Sequence, residues 1–263
     1  MSVAPGRILG FARVLRWILF GIALALGSLF VAWRALAAVD FAYPLLYDAL
    51  SIDRTIARYG PQNHVRPDFQ MTDRAERERL FAAIATAVRH NGQGLAALAY
   101  HAPDGRTLGP LLTPPEIQHL HDVARLIGRF ERLGWLSWLV VLWLLAAAAL
   151  RRERLPRART FAAGAGAIVG AAAVVTFALG PENVFYWLHA HVFPPGHPWF
   201  FYYQQSLMSM MMQAPNLFGP IAALLLALAI PVFAAGLWAS RRSLDRAGAD
   251  TPGGADDRPH GRG

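Results

Sequence analysis

The sequence contains no cysteine and no lysine, and it is short of charge. The absence of cysteine excludes structural disulfides, thiol catalysis and cysteine-ligated metals. Only 16% of the 263 residues are charged, against about 25% in a typical soluble domain. Four stretches have no aspartate, glutamate, arginine or lysine: 17–33, 133–150, 160–181 and 183–240. Because a bilayer core needs about 20 apolar residues per helix, these stretches exclude a soluble enzyme and predict an all-α membrane protein.

Four membrane spans are predicted, and the arginines predict their orientation. The spans are residues 17–38, 133–150, 160–180 and 217–239. Arginine exceeds acid in residues 1–16, in the turn 151–159 and in the tail 240–263, whereas the loop 39–132 has eleven of each. The positive-inside rule therefore places residues 1–16, 151–159 and 240–263 in the cytoplasm, and the tail 240–263 is expected to be disordered. The membrane topology thus accounts for the net charge of +8, and no nucleic-acid partner is expected.

The predicted protein is a multi-pass protein of the cytoplasmic (inner) membrane. Residues 39–132 form an extracytoplasmic helical loop domain, and residues 181–216 lie on the same side as an interfacial segment. An alternative reading of the first span is a cleaved signal peptide, because Ala35-Leu36-Ala37 resembles a cleavage site. The apolar run is longer than a signal peptide needs, and Arg34 precedes that site, so a membrane span is favoured.

Helix signals recur through the loop domain (residues 39–132). Asp73 begins a capping box, and Asn91-Gly92 ends the helix that follows. Thr113 and Glu116 begin a second capped helix, which has no strong breaker before the second span and should continue into it. The stretch 41–59 mixes aromatic, apolar and charged residues and is interpreted as an interfacial helix.

Eight of the nine histidines fall in the two segments predicted to face outward, and histidine exchanges protons near neutral pH. In the first cluster Glu116, His119 and Asp122 are three residues apart and share a helical face, whereas His121 points elsewhere. A carboxylate beside an imidazole fixes its tautomer and raises its basicity. The alternatives without a catalytic role are that Glu116 only caps the helix and that His119 is an ordinary surface histidine.

The second cluster, His189 and His191, lies in an aromatic stretch after the third span. Pro194, Pro195 and Pro198 argue against a simple membrane span there and favour a re-entrant or interface-lying segment. The stretch is interpreted either as an aromatic belt at the headgroup level or as a groove for acyl chains with His189 at its polar lip. His-x-His also invites a zinc site, but on a helix the two rings diverge by about 200°, so no metal is expected.

Taken together, these motifs resemble the lipoprotein intramolecular transacylases, a family of small four-span bacterial membrane proteins. The family's Glu-x-x-His-Met-x-Asp-Val corresponds to residues 116–123, with Leu120 replacing Met. Its Phe-His-x-x-Phe-Phe corresponds to residues 188–193, where Leu188 and Val192 replace Phe. Trp199, Leu207-Met208 and Pro215 follow in the family's order, but Gln205-Ser206 replaces an expected acidic residue.

The resemblance implies that His119 and His189 are a catalytic pair, with Glu116, Asp122 and Trp199 in support. It implies transfer of the sn-2 acyl chain of a lipoprotein's diacylglyceryl group to the α-amine of its N-terminal cysteine. The expected partners are the lipoprotein substrate and membrane lipid, and no cofactor is expected. His119, backed by Asp122 or Glu116, is expected to be the base and His189 the acid or oxyanion stabiliser, or the reverse. A shared centre requires the two rings to lie within about 12 Å, given roughly 3 Å contacts to a bridging substrate atom. The alternatives are a non-catalytic assembly or accessory protein and a zinc-dependent hydrolase.

Overall fold

The charge-free stretches fold into four long helices in the computed structural model, which describes residues 5–66 and 68–249. These helices are α1 (Pro5–Ala37), α5 (Pro114–Leu150), α6 (Ala158–Leu179) and α9 (Phe218–Ala249). All four are long and apolar enough to cross a membrane. The prediction of an all-α membrane protein with four spans is confirmed, and the protein is a multi-pass membrane protein.

The spans α1, α5 and α9 pack together, whereas α6 stands apart from them. Phe20 and Leu24 of α1, Leu144 of α5 and Leu237 of α9 belong to one buried cluster. A side chain at Gly134 of α5 would collide with Phe30, so glycine there lets α1 and α5 approach closely. No residue of α6 is buried in the protein. The α6 helix is therefore held to the rest mainly by its ends.

Helix α5 joins the loop domain to the membrane without a break. The backbone N–H of Thr113 donates to the Glu116 carboxylate at 2.6 Å, as the capping-box sequence predicts. The helix then continues for 37 residues, as expected from the lack of breakers. The part of α5 before Leu133 carries the first histidine cluster, and the charge-free part packs against α1.

The loop domain has three further α-helices and a small hairpin. They are α2 (Tyr43–Ala49), α3 (Ile52–Tyr59), α4 (Arg74–Arg89), β1 (Ala99–His101) and β2 (Thr107–Pro110). The Asp73 side chain caps α4, accepting from the N–H of Glu76, but the predicted capping box is not completed, because the Glu76 carboxylate binds Arg79 and the N–H of His101 instead. The antiparallel β1–β2 hairpin was not predicted.

The prediction of one interfacial helix over residues 41–59 is wrong. The chain breaks at Ser51, whose φ of 51° lies in the left-handed region, so two helices form. Tyr43, Ile52 and Ile56 are fully buried in the core of the domain. These apolar side chains pack inward rather than onto a membrane surface.

Residues 181–216 contain α7 (Pro181–Val192) and α8 (Leu207–Met211), joined by an irregular segment with turns at residues 195–196 and 203–205. Leu207, Met210 and Met211 of α8 are buried in the core of the loop domain, so residues 181–216 pack against that domain through α8.

The tail departs from prediction, because α9 continues to Ala249 instead of becoming disordered at residue 240. Leu244 explains the extension, since it packs in the same cluster as Trp17 and Ala148. Residues 250–263 of the predicted tail lie outside the described residues.

Candidate active site

His119 lies near the start of α5, on the side that faces the aromatic segment. Its ring is buried and lies 4.8 Å from Phe193 and 6.0 Å from Phe201, measured between ring centroids. Burial lowers the pKa of His119, the nearby His189 lowers it further, and Asp122 opposes both. Its Nδ1 is buried without a hydrogen-bond partner in the described part of the chain. The burial of His119 therefore favours its neutral form.

His189 lies on α7 and approaches His119 from the opposite side. Its Nδ1 is 2.8 Å from the carbonyl oxygen of Phe185, and its ring lies 5.3 Å from that of Trp199. Burial lowers the pKa of His189, and the bond to the Phe185 carbonyl partly offsets this. Because a carbonyl can only accept, Nδ1 carries the proton and Nε2 is the nitrogen left for a substrate.

The two histidines share one cavity. Their ring centroids are 6.2 Å apart, well inside the 12 Å expected of a common centre. The cavity has a volume of about 520 Å³ and is lined mainly by apolar and aromatic side chains. Trp199 lines it as well, so the sequence-predicted His119, His189 and Trp199 come together there. An apolar cavity with two imidazoles can hold an apolar ligand and exchange a proton with it.

Asp122 does not support His119 in the predicted way. Its carboxylate is 2% exposed and is bound by His197 Nδ1 at 2.7 Å and by Arg125. The spacing of three residues brings Asp122 near His119, but its oxygens face the turn that follows α7. Asp122 therefore ties that turn to α5.

Glu116 is also used elsewhere. One carboxylate oxygen accepts from the N–H and the hydroxyl of Thr113, and the other accepts from the Ser206 hydroxyl. Ser206 in turn caps α8 by accepting from the N–H of Ser209. The predicted support of His119 by Glu116 is thus replaced by a structural link between α5 and α8.

The neighbouring histidines lie outside the pair. His121 packs against Gly92 at the end of α4, where a side chain would collide with its ring. His191 is exposed and stacks on Trp187 at 4.4 Å. Within residues 5–66 and 68–249, no group of three or more histidines and acids is placed to hold a metal ion.

His197 is the site residue that the sequence reasoning missed. It is 75 positions from Asp122 and sits in a Pro-Gly-His-Pro turn, so no local periodicity links the two. The turn residues alone predict a bend there. The position of the bend next to α5 depends on the tertiary structure.

Comparison with known proteins gives a fold. No family model matches the sequence, and no curated protein matches it either. Three structures of the membrane-integral lipoprotein intramolecular transacylase Lit from Bacillus cereus resemble this one, two of them with a histidine substituted. Their TM-scores are 0.62, 0.62 and 0.63, each at 14% sequence identity. The matches cover 91–93% of this chain and 95–100% of the others. The chain therefore has the fold of the lipoprotein intramolecular transacylase.

Proposed function

We propose that the protein is a membrane acyltransferase acting on diacylglyceryl-modified lipoproteins. It moves the sn-2 acyl chain of the diacylglyceryl group to the α-amine of the lipoprotein's N-terminal cysteine and releases an N-acyl lyso-lipoprotein. The observation that carries the proposal is the placement of His119 and His189 at 6.2 Å in one apolar cavity. The fold shared with a lipoprotein transacylase supports the same class of reaction.

The cavity suits an acyl chain more than a polar substrate. Its volume of about 520 Å³ falls within the usual range for small-molecule sites, about 300–1,000 Å³. Ile127, Val123 and Phe218 are among the apolar side chains on its walls. Each buried methylene of a ligand gains about 0.8 kcal/mol by leaving water. The polar groups at the histidine pair then orient the ester.

His189 is the proton carrier in this proposal. Its Nδ1–H is held by the Phe185 carbonyl, and the lowered pKa keeps Nε2 unprotonated at neutral pH. Nε2 accepts the proton that the attacking amine loses and delivers it to the departing glycerol oxygen. The backbone carbonyl fixes the ring orientation during both steps.

His119 is the electrophile. A neutral imidazole that donates its N–H stabilises the oxyanion of the tetrahedral intermediate. Because an orphaned buried N–H is rarer than an orphaned acceptor, we assign the lone pair of His119 to its buried Nδ1 and the proton to Nε2. This reverses the assignment favoured from the sequence. That assignment relied on Asp122 or Glu116 beside His119, and both bind elsewhere.

The reaction balances within one substrate molecule. A bond forms between the acyl carbon and the amine nitrogen, the bond between the acyl carbon and the sn-2 glycerol oxygen breaks, and one proton moves from nitrogen to that oxygen. The acyl chain comes from the acceptor's own diacylglyceryl group. The transfer therefore requires no external acyl donor.

We also propose that the histidine pair faces the extracytoplasmic side of the inner membrane, as the arginine distribution predicts. Reporter fusions after Asp104 and after Arg154 should then give opposite sidedness. The same sidedness for both fusions would contradict the four-span topology.

The test of the proposal is a set of four histidine variants in a bacterial host that lacks lipoprotein N-acylation. His189→Ala should reduce N-acyl lyso-lipoprotein formation by about 10²–10⁴-fold, as expected for loss of a general acid–base group, and His119→Ala by about 10²–10³-fold, as expected for loss of a donor to the oxyanion. His121→Ala and His191→Ala are the matched controls and should retain activity. Tandem mass spectrometry of the N-terminal lipopeptide measures the product.

Other outcomes of the same test favour other functions. If all four variants lose activity and a chelator slows the wild type, the metal-dependent hydrolase becomes the better account. If wild type makes no lyso-lipoprotein, the proposal is wrong and a non-catalytic assembly role takes its place.

A further inference from the structure

Six exposed side chains follow one another along one ridge of α5. They are spaced four, three, four, three and four residues apart, which keeps them on a single face of a helix. The ridge consists of Arg125, Arg129, Arg132, Leu136, Leu139 and Trp143. It spans roughly 27 Å at 1.5 Å per residue. His119 and Val123 line the cavity from a different face of the helix.

The N-terminal half of the ridge, Arg125 to Arg132, carries positive charge that nearby acidic residues only partly neutralise. Arg125 pairs with Asp122, and Arg132 donates only to the backbone carbonyl of Gly128. Arg129 makes no ion pair or hydrogen bond within the described part of the chain. The other nearby acid, Glu131, turns to Arg34 of α1. Two arginines of the ridge are therefore without a carboxylate partner.

The C-terminal half of the ridge, Leu136 to Trp143, lies in the hydrocarbon region of the membrane. The charge-free part of α5 begins at Leu133, so Leu136 and Leu139 face lipid tails. Trp143, 66% exposed, continues the same apolar face. The change from arginine to leucine between residues 132 and 136 thus marks the level of the lipid headgroups.

We propose that this ridge binds an anionic glycerophospholipid. The acyl chains lie against Leu136, Leu139 and Trp143, and the phosphate is bound by Arg129 and Arg132. Guanidinium groups bind phosphate oxygens through paired N–H donors, and a basic residue near a membrane surface contributes about 1 kcal/mol to binding anionic lipid. The proposal does not depend on the transacylase reaction, because the ridge lies outside the cavity.

The test uses the full-length protein reconstituted with equimolar phosphatidylglycerol and phosphatidylcholine. After mild detergent extraction, mass spectrometry counts the lipids retained by the protein. Wild type should retain phosphatidylglycerol over phosphatidylcholine, and 0.5 M NaCl should weaken the preference. The double variant Arg129→Gln, Arg132→Gln should lower that ratio by about fivefold or more, at roughly fivefold per kcal/mol.

A charge-matched control separates a site from a general attraction. Arg54→Gln, Arg106→Gln removes two exposed arginines of the loop domain and should keep the wild-type ratio. Glutamine is a good helix former, so α5 should remain folded in the first variant, and thermal unfolding checks this. An unchanged ratio in the ridge variant, an equal loss in the control, or no preference in wild type would each overturn the proposal.

Discussion

The two walls of the cavity are built differently. The α5 wall, which carries His119, is surrounded by buried residues, among them Glu116, Leu120 and Ala124. The α7 wall, which carries His189, has no buried residue. It is attached by ring contacts such as Phe185 on Phe218 and, through the turn after it, by the hydrogen bond from His197 to Asp122.

This difference in burial indicates which wall of the cavity moves when a substrate enters. A wall with few buried apolar contacts opens at a lower free-energy cost than one inside a core. A lipoprotein with two acyl chains has to enter and leave an apolar cavity. We infer that the α5 wall holds its geometry during this exchange and that the α7 wall moves.

The largest expected effect is on stability, in a pair of leucines that adjoin the two histidines. Leu120 is 5% exposed and Leu188 is 45% exposed. Leu120→Ala removes core contacts and should lower the free energy of unfolding by about 2–5 kcal/mol. Leu188→Ala should change it by about 0.5 kcal/mol or less. Denaturant unfolding in detergent micelles measures both, and similar losses would contradict the contrast between the walls.

A smaller effect is expected when the tie between the walls is cut. His197→Ala removes the bond to Asp122 and leaves that buried carboxylate with Arg125 as its remaining side-chain partner. Loss of a hydrogen bond to a charged group costs about 1.5–3 kcal/mol, so we expect kcat/KM to fall by about tenfold or more. Limited proteolysis within residues 193–206 should become faster.

The control for this prediction is His197→Asn, whose amide N–H occupies about the position of Nδ1–H and should restore most of the activity and the protease resistance. If His197→Ala leaves both measurements at the wild-type level, the turn is held by its aromatic contacts alone.

The smallest effect expected is a shift in titration. Burial lowers the pKa of both His119 and His189, so each should become protonated only below the ordinary histidine value of about 6.5. The neutral forms that the proposed mechanism uses should therefore persist below that pH. Nuclear magnetic resonance of 13Cε1-labelled histidine, assigned with His119→Gln and His189→Gln, measures the midpoints. A midpoint above 6.5 for either ring would contradict the neutral pair.

Most of the fold could be predicted because its signals are local. The four spans follow from charge-free runs, and the N-cap at Asp73 and the capping box at Thr113 lie where α4 and α5 begin. The continuity of α5 follows from the lack of a strong breaker. The placement of His119 with His189 was expected from a resemblance between short motifs, and the structure brings the two rings together.

The remaining features depend on contacts between distant segments. Asp122 shares a helical face with His119, yet its carboxylate binds His197, which helix periodicity does not predict. Glu116 similarly binds Ser206, which lies 90 positions away in the chain. The extension of α9 to Ala249 depends on packing of Leu244 against α1 and α5 rather than on its polar composition.

The most direct test of the central claim combines the purified protein with a synthetic diacylglyceryl lipopeptide and no other lipid donor. Intramolecular transfer leaves the parent mass unchanged, and tandem mass spectrometry should find one acyl chain moved from the glycerol to the terminal amine. With His189→Ala the same product should be reduced by about 10²–10⁴-fold. A product that loses the mass of a fatty acid, or fragments identical to those of the starting lipopeptide, would contradict the account.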